Sequence, residues 1–239
     1  MRILIIGGNG YLGWQLYQFL KRKYECTCIN RVGNDYNYKQ LSEKVKKSNT
    51  IIFLAGPPYN KINKNNVFAR LKILKKISKL IVKKKLLIYF STISKYSKNK
   101  DKKYYITSHR LAEEYLKKNI NKNNFKIIKL CNIFGLNFLP KKKNIETSPI
   151  NLFINMMIKN KLFKLKTPHA KRNWLPIFSF LELNKRIIQK KKVYKLNTKK
   201  LTISQFVKRI SFLKNKTNSD NIFDKEILKT FKVLKKYNS

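Results

Sequence analysis

The sequence predicts an α/β fold, a doubly wound parallel sheet carrying a small C-terminal lobe. Three observations predict it. A short apolar run at the start of the chain ends in a glycine cluster and is followed by apolar residues at helical spacing. Four more short apolar runs follow, separated by helix-like stretches. After Gly135 the alternation loosens.

Taken in order, RILII (Arg2 to Ile6) is closed by Gly7 and Gly8, and Leu12, Leu16, Phe19 and Leu20 then recur every three to four residues: strand, turn, helix. Further strands are expected at Glu25–Asn30, Thr50–Ala55, Leu86–Ser91 and Lys126–Cys131. Short apolar runs alternating with helices argue for parallel pairing, because parallel strands need long crossovers and are covered on both faces. Val67–Val82 and His109–Ile120 place apolar residues at helical intervals with Lys elsewhere, as surface helices packed on a sheet do. We expect a dinucleotide-binding domain over 1–135 and a reduced substrate lobe over 136–239. That lobe begins with a Lys-rich turn (Pro140–Asn144) and a helix (Asn151–Ile158), and returns strands to the main sheet near 172–197. From Lys214 the chain is polar, with a loop of low order expected before a final short helix.

Lys and Arg number 56 against 11 acids, a net charge of +45. Such an excess raises nucleic acid or anionic membrane as a partner. The cations, however, are spread in pairs and triplets such as Lys83–Lys85, Lys141–Lys143 and Lys190–Lys192, without a stripe of aromatic platforms, so no specific nucleic-acid site is evident. Lys, Asn and Ile are abundant and Gly, Pro and Ala scarce, as A/T-rich codons produce; selection for polyanion attraction is the competing explanation. Either way, anionic substrates are attracted at low ionic strength. Cys26, Cys28 and Cys131 form no even framework, CxxC or Cys/His metal pattern, which favours a reducing, intracellular setting. The N-terminal apolar run is too short to span a membrane and lacks a signal-peptide pattern. We therefore expect a soluble cytoplasmic protein without a transmembrane segment, its charge leaving peripheral membrane contact open.

Four of the seven glycines fall in IIGGNGYLGW. Gly7, Gly10 and Gly13, with Tyr11 and Leu12 between them, occupy the junction of first strand and first helix. There the early glycines permit a tight turn and close approach of a pyrophosphate, and Gly13 permits close helix packing. Free N–H groups and the positive helix end then face phosphate. An acid usually binds the adenosine ribose at the end of the second strand; here Asn30 and Arg31 stand instead. Asn30 suits a ribose hydroxyl in NAD and Arg31 a 2′-phosphate in NADP, so either cofactor is expected. Asp35 is read as a loop residue, and Arg31 is equally one more cation in a basic chain.

The glycine spacing resembles that of the extended short-chain dehydrogenase/reductase family, the NAD-dependent nucleotide-sugar epimerases and dehydratases, whose fold is Rossmann-like. Phe53 to Gly56 (FLAG) resembles its segment beside the nicotinamide ribose, implying cofactor contact by Leu54, Ala55 and Gly56. Phe90 to Tyr96 (FSTISKY) resembles the segment after the fifth strand, with Thr92 at the catalytic Ser/Thr position. Tyr105 to His109 (YITSH) takes the place of Tyr-x-x-x-Lys and is followed by the expected Ala112 and Glu113. Leu130 to Gly135 (LCNIFG), Arg172 to Ile177 (RNWLPI) and Val193 to Asn197 (VYKLN) resemble three further segments in the right order. The resemblance implies that Thr92, Asn132 and Arg172 hold a nucleotide-activated sugar, Arg172 through its phosphates.

A tyrosine has an unperturbed pKa of about 10 and needs nearby positive charge to act as a base at neutral pH. In the family a lysine supplies that charge and holds the ribose hydroxyls. Here His109 stands one turn after Tyr105 on the same helix face; a neutral histidine can bond a ribose hydroxyl but lends little charge. Arg110 points about 100° away around the helix. Activation of Tyr105 is then expected to lean on the nicotinamide's own charge and the general basic field. His169 is expected to be exposed, and Trp14 and Trp174 to be packing residues, with a place for Trp174 at the border of the sugar site as the alternative. The expected activity is Tyr105-assisted hydride transfer at a sugar hydroxyl, giving a 4-epimerase if the hydride returns, or a reductase if it does not. The alternatives are a dinucleotide-binding protein that has lost turnover with the lysine, and a basic nucleic-acid-binding protein. A homodimer stays open.

Overall fold

The computed structural model describes residues 1–30, 37–57, 61–82, 84–93, 103–138, 149–161, 168–189 and 198–239. Arg31, Gly33, Asp35, Ser94–Tyr96, Pro140–Asn144 and Val193–Asn197 lie outside the described residues. The chain divides into two compact units, Met1–Leu130 and Cys131–Ser239.

The first unit is built on β1 (Arg2–Ile6), β2 (Glu25–Ile29), β3 (Thr50–Phe53), β4 (Leu86–Thr92) and β5 (Phe125–Leu130), in the order β2-β1-β3-β4-β5. Every pairing is parallel. The helices are α1 (Tyr11–Leu20), α2 (Tyr38–Lys47), α3 (Ala69–Ser78) and α4 (Lys103–Asn119). This is the Rossmann-like arrangement that the alternating pattern predicts, with strand boundaries shifted by no more than two residues. Ile3, Leu4, Ile5 and Ile6 are all at most 1% exposed, which explains why β1 reads as an unbroken apolar run. Leu4, Ile6, Ile51, Phe53, Leu87 and Tyr89 share one core with Leu41 and Val45 of α2, Ile73, Leu74 and Ile77 of α3, and Ala112 and Leu116 of α4. Each Leu, Ile, Val or Phe among them contributes about 1.5–3 kcal/mol by leaving water. Because strand order runs outward from β1 in both directions, the carboxyl ends of β1 and β3 form the switch point at which ligands bind in open α/β sheets. The ladder continues there: Gly7 N–H donates to Ile29 O and Leu54 N–H to Ile6 O, both at 2.9 Å.

The second unit has a sheet of its own, β6 (Asn132–Phe134), β7 (Lys171–Pro176) and β8 (Lys199–Thr202), in that order. β6 and β7 are parallel, β7 and β8 antiparallel. The segment near 172, expected to return to the main sheet, instead takes β6 and β8 as its partners. Pro176, which has no N–H to give a ladder, stands at the end of β7 and leads into α6 (Ile177–Ile188). Helices α5 (Pro149–Ile158), α7 (Ile203–Leu213) and α8 (Ile222–Asn238) complete the unit. Phe134, Trp174, Phe206 and Phe223 pack as an aromatic cluster with ring centroids 4.6–5.0 Å apart. The final helix is not short: α8 runs 17 residues, because Phe223, Ile227, Phe231 and Leu234 sustain one apolar face and the Asn221 side chain caps it by accepting from Phe223 N–H.

Candidate dinucleotide and catalytic site

Gly7 leaves β1 with φ +95°, a conformation that L side chains rarely adopt, and an added Cβ would lie 3.0 Å from Ala55 N and Leu54 C. At Gly13 an added Cβ would fall inside the Gly7 carbonyl oxygen and 2.9 Å from Gly8 Cα, so helix α1 can press on the turn only because that side chain is absent. Gly10 differs. It caps α1 in an extended conformation with φ −71°, and an added Cβ would meet only Gly7 O, at 3.4 Å. What its missing side chain leaves open is space before the helix. Among the described residues the N-cap Gly10 has no side chain to cap the first turn of α1, whose N–H groups point toward that space. Tyr11 is buried and Leu12 half-buried, both already inside the helix. The Asn30 amide oxygen accepts from Asn9 N–H at 2.7 Å, so Asn30 also fastens the glycine turn.

Leu54, Ala55 and Gly56 follow β3 as the opposite wall of the switch point. Gly56 has φ +144°, and an added Cβ would collide with the guanidinium of Arg70, 2.6 Å from its Cζ. Arg70 lies on α3, 5% exposed, and donates to Ser108 Oγ at 2.6 Å.

Helix α4 begins at Lys103, which places Tyr105 in its first turn and Ser108 and His109 one turn on. Thr92 ends β4, is buried, and hydrogen-bonds the Tyr105 phenol. The Tyr105 and His109 rings meet edge to face with centroids 4.7 Å apart, and the Arg70 guanidinium carbon lies 5.9 Å from the Tyr105 ring centre. His109 Nδ1 bonds the Tyr89 hydroxyl at 2.8 Å, while its Nε2 is buried without a hydrogen-bond partner among the described residues. Burial, aided by the Arg70 charge, holds the His109 pKa well below the usual histidine value, so its ring is neutral at pH 7. Burial likewise raises the Tyr105 pKa, and the Arg70 charge and the Thr92 bond oppose the rise. Beneath them Ser91 Oγ donates to Glu113 Oε1, both buried.

Tyr105 and His109 share a helix face, as their spacing predicts, and Thr92 stands at the end of β4 beside Tyr105. Sequence reasoning missed Arg70, Ser108 and Tyr89. Arg70 carried a signal: it shares the helical spacing of Ile73, Leu74 and Ile77, all buried, and so belongs to the inward face of α3. Tyr89 alternates inward with Phe53 beside it in register and gave no sign of a polar task.

In the second unit Asn132 is exposed on β6 and its side chain donates to Asn173 O at 3.2 Å. Asn132 pairs in register with Trp174, which puts half-buried Arg172 two residues away along the adjacent strand. Trp174 is buried, stacks on Phe206 and donates to Leu201 O, a packing residue as expected. His169 is exposed. Gly135 has φ +100°, and Glu226 Oε1 occupies the space a side chain would need. The same carboxylate accepts from Phe178 N–H and, being almost wholly buried, has its pKa pushed up to about 7.

The glycine cradle fits a dinucleotide: an open face at Gly10, an uncapped helix end beside it, and an orphaned nitrogen on His109 of the kind a ribose hydroxyl satisfies. Comparison with known proteins decides the family, for the family model described as the NAD dependent epimerase/dehydratase family matches residues 3–197. The chain belongs to that family. NAD or NADP is therefore its cofactor. No curated protein sequence matches the chain. Among solved structures, the capsular polysaccharide assembling protein CapF of Staphylococcus aureus is similar at 19% identity and TM-score 0.72, over 98% of this chain and 66% of that one. The chain thus spans just under two thirds of CapF. UDP-glucose 4-epimerase of Thermotoga maritima, solved with UDP-glucose, is similar at 12% identity and TM-score 0.75 over 100% of both chains. UDP-glucuronic acid 4-epimerase of Bacillus cereus, in complex with NAD, is similar at 11% identity and TM-score 0.72, over 99% of this chain and 97% of that one. These likenesses establish the epimerase/dehydratase fold. No helix among the described residues is long and apolar enough to cross a membrane.

Proposed function

We propose that this family member is an NAD- or NADP-dependent enzyme acting on a nucleotide-activated sugar, with Tyr105 as base, Thr92 as its hydroxyl partner and His109 as ligand of the cofactor ribose. The observation that carries the reading is the edge-to-face contact of the Tyr105 and His109 rings, centroids 4.7 Å apart, on a helix face where His109 Nε2 has no hydrogen-bond partner among the described residues.

Bound NAD or NADP supplies a hydride acceptor and donor beside the sugar carbon. Gly7, Gly10 and Gly13 hold its pyrophosphate, and Leu54, Ala55 and Gly56 border its ribose. Asn30 and Arg31 stand at the adenosine end. Tyr105, once deprotonated, takes the proton of a sugar hydroxyl onto its own oxygen, and the Thr92 hydroxyl donates to the same sugar oxygen. In a 4-epimerase Tyr105 then returns that proton to the ketone oxygen as hydride adds to the opposite face. Starting instead from a ketone and the reduced dinucleotide, with Tyr105 giving its proton to the oxygen as hydride arrives, the same residues serve a reductase. Asn132 and Arg172 hold the substrate, the guanidinium pairing with the diphosphate in two parallel bonds. The UDP-glucose complex of the Thermotoga epimerase supports this substrate class. A cytoplasmic setting accords with three free thiols at Cys26, Cys28 and Cys131.

The test is a thermal-shift series with NAD, NADP and nucleotide sugars, followed by NMR detection of sugar conversion. A dinucleotide at a hundred times its Kd stabilises by about 2.7 kcal/mol, or roughly 5–11 °C for a chain of this size. Lack of any shift with either dinucleotide refutes the reading. The neutral state of His109 favours a second reading, a dinucleotide-binding protein without turnover. Normal cofactor binding with no conversion across a sugar panel would select it.

A further inference from the structure

We propose that Arg70 is the positioning cation of the site: its buried guanidinium, held by Ser108 and seated on Gly56, supplies beside Tyr105 the positive charge that His109 does not. The inference rests on Tyr105 being the base.

The chain carries 56 Lys and Arg residues, but exposed cations act through water and salt, which screen them beyond about 8–10 Å. Among the described residues Arg70 is the one Lys or Arg that is buried. It does not reach outward from α3, as long cations on such faces commonly do; it turns in on the side of Ile73, Leu74 and Ile77. Two features hold it there. Ser108 Oγ accepts one of its donors at 2.6 Å, and the space it fills against residue 56 exists because that residue is glycine. Among the described residues no carboxylate forms an ion pair with it, so no described anion cancels its charge.

That charge lies 5.9 Å from the centre of the Tyr105 ring. Among the described residues the other titratable groups shown to interact with Tyr105 or with its ring neighbour are His109 on its own helix and Tyr89 on β4, itself influenced by Glu113. None of these supplies a positive charge, since His109 is held neutral. Arg70 opposes the effect of burial on Tyr105, and it disfavours protonation of His109. The two tasks that could fall to one lysine are therefore divided: Arg70 provides charge, and His109 Nε2 remains free to bond a hydroxyl.

The test reads Tyr105 directly. Protein labelled with carbon-13 at the tyrosine ring is titrated by NMR, and Tyr105→Phe identifies the signal among the 13 tyrosines. In Arg70→Gln the Tyr105 midpoint is expected to rise by about one to two pH units, as loss of a cation at this distance in a half-buried site implies. Arg70→Lys, which keeps the charge and loses the planar fork, is expected to stay within about half a unit of the wild type. A glutamine variant that binds NAD and titrates at the wild-type midpoint overturns the proposal. Should the glutamine variant not fold, the lysine variant decides, because a rise of about a unit or more with the charge retained would assign Arg70 to packing. The titration needs no turnover, so an inert protein still answers it. A Tyr105→Phe variant that keeps turnover removes Tyr105 as base and leaves the titration result standing.

Discussion

Gly10 and Gly13 stand three residues apart in one turn, yet alanine at each should do different damage. At Gly10 the backbone is extended with φ −71°, which alanine adopts, and the new methyl meets only Gly7 O, at 3.4 Å. Folding stability should change by less than about 0.5 kcal/mol, as for substitutions that touch nothing. The methyl would instead stand in the space before α1, where the pyrophosphate must approach the first-turn N–H groups. Losing two charge-assisted hydrogen bonds there, at about 1.5–3 kcal/mol each, weakens dinucleotide binding by more than about a hundredfold. Gly13→Ala sets its methyl against backbone, 2.9 Å from Gly7 C and Gly8 Cα, where no rotamer change relieves it. Overpacking of this kind costs about 1–3 kcal/mol, lowering Tm by roughly 2–12 °C in a chain of this length. Circular-dichroism melts of both variants, paired with calorimetric titration of NAD and NADP, separate the two effects. A Gly10→Ala protein that binds dinucleotide with wild-type affinity would refute the assignment of this turn to the phosphates.

Other expectations follow from the same geometry. Tyr105→Phe should retain Tm and NAD affinity while losing sugar conversion by at least about a hundredfold, the usual scale of a general base; NMR of the nucleotide sugar measures it. Glu226, with its folded pKa pushed up to about 7 against a usual carboxylate value, binds its proton more tightly folded than unfolded. Its contribution is fully present below the unfolded pKa and is lost as pH rises toward 7, by about 3 kcal/mol at most. Urea unfolding at pH 5 and pH 8 should show that fall in the wild type and little of it in Glu226→Gln. Ser108→Ala, which removes the acceptor of the Arg70 guanidinium, should cost about 1–3 kcal/mol by leaving a buried donor unsatisfied, seen as a lower urea midpoint.

The first unit was readable because its signals are local. Five apolar runs, a glycine turn and helical spacing each depend on residues within about twenty positions, and parallel pairing follows from the lengths between them. Tyr105 and His109 are four apart on one helix, so their sharing a face was arithmetic; Thr92 joins them from the end of β4. Arg70 was hidden among 56 basic residues, and distinguishing it required asking which cation falls on an inward face. The second unit was harder for a different reason. β6 has only three residues, and its neighbour β7 lies some forty residues away in sequence, so its pairing leaves little local trace. The length of α8 was also underestimated: its Lys residues alternate with a buried face that composition conceals.

His109 and Arg70 are best understood as one arrangement. Among the described residues Arg70 is the one buried cation beside Tyr105, and taking a charge out of water costs several kcal/mol unless hydrogen bonds and nearby polar groups offset it. Two cations there would add mutual repulsion to two desolvation costs. With Arg70 held by Ser108 and accommodated by Gly56, a neutral side chain at 109 is what electrostatics favours, and histidine is a neutral side chain that still offers a polar nitrogen. The Tyr89 hydroxyl at Nδ1 orients the ring and leaves Nε2 for another partner. The residue that departs from Tyr-x-x-x-Lys is thus consistent with its surroundings, and under the proposal made above the charge acts on the phenol from α3 and not from the tyrosine's own helix.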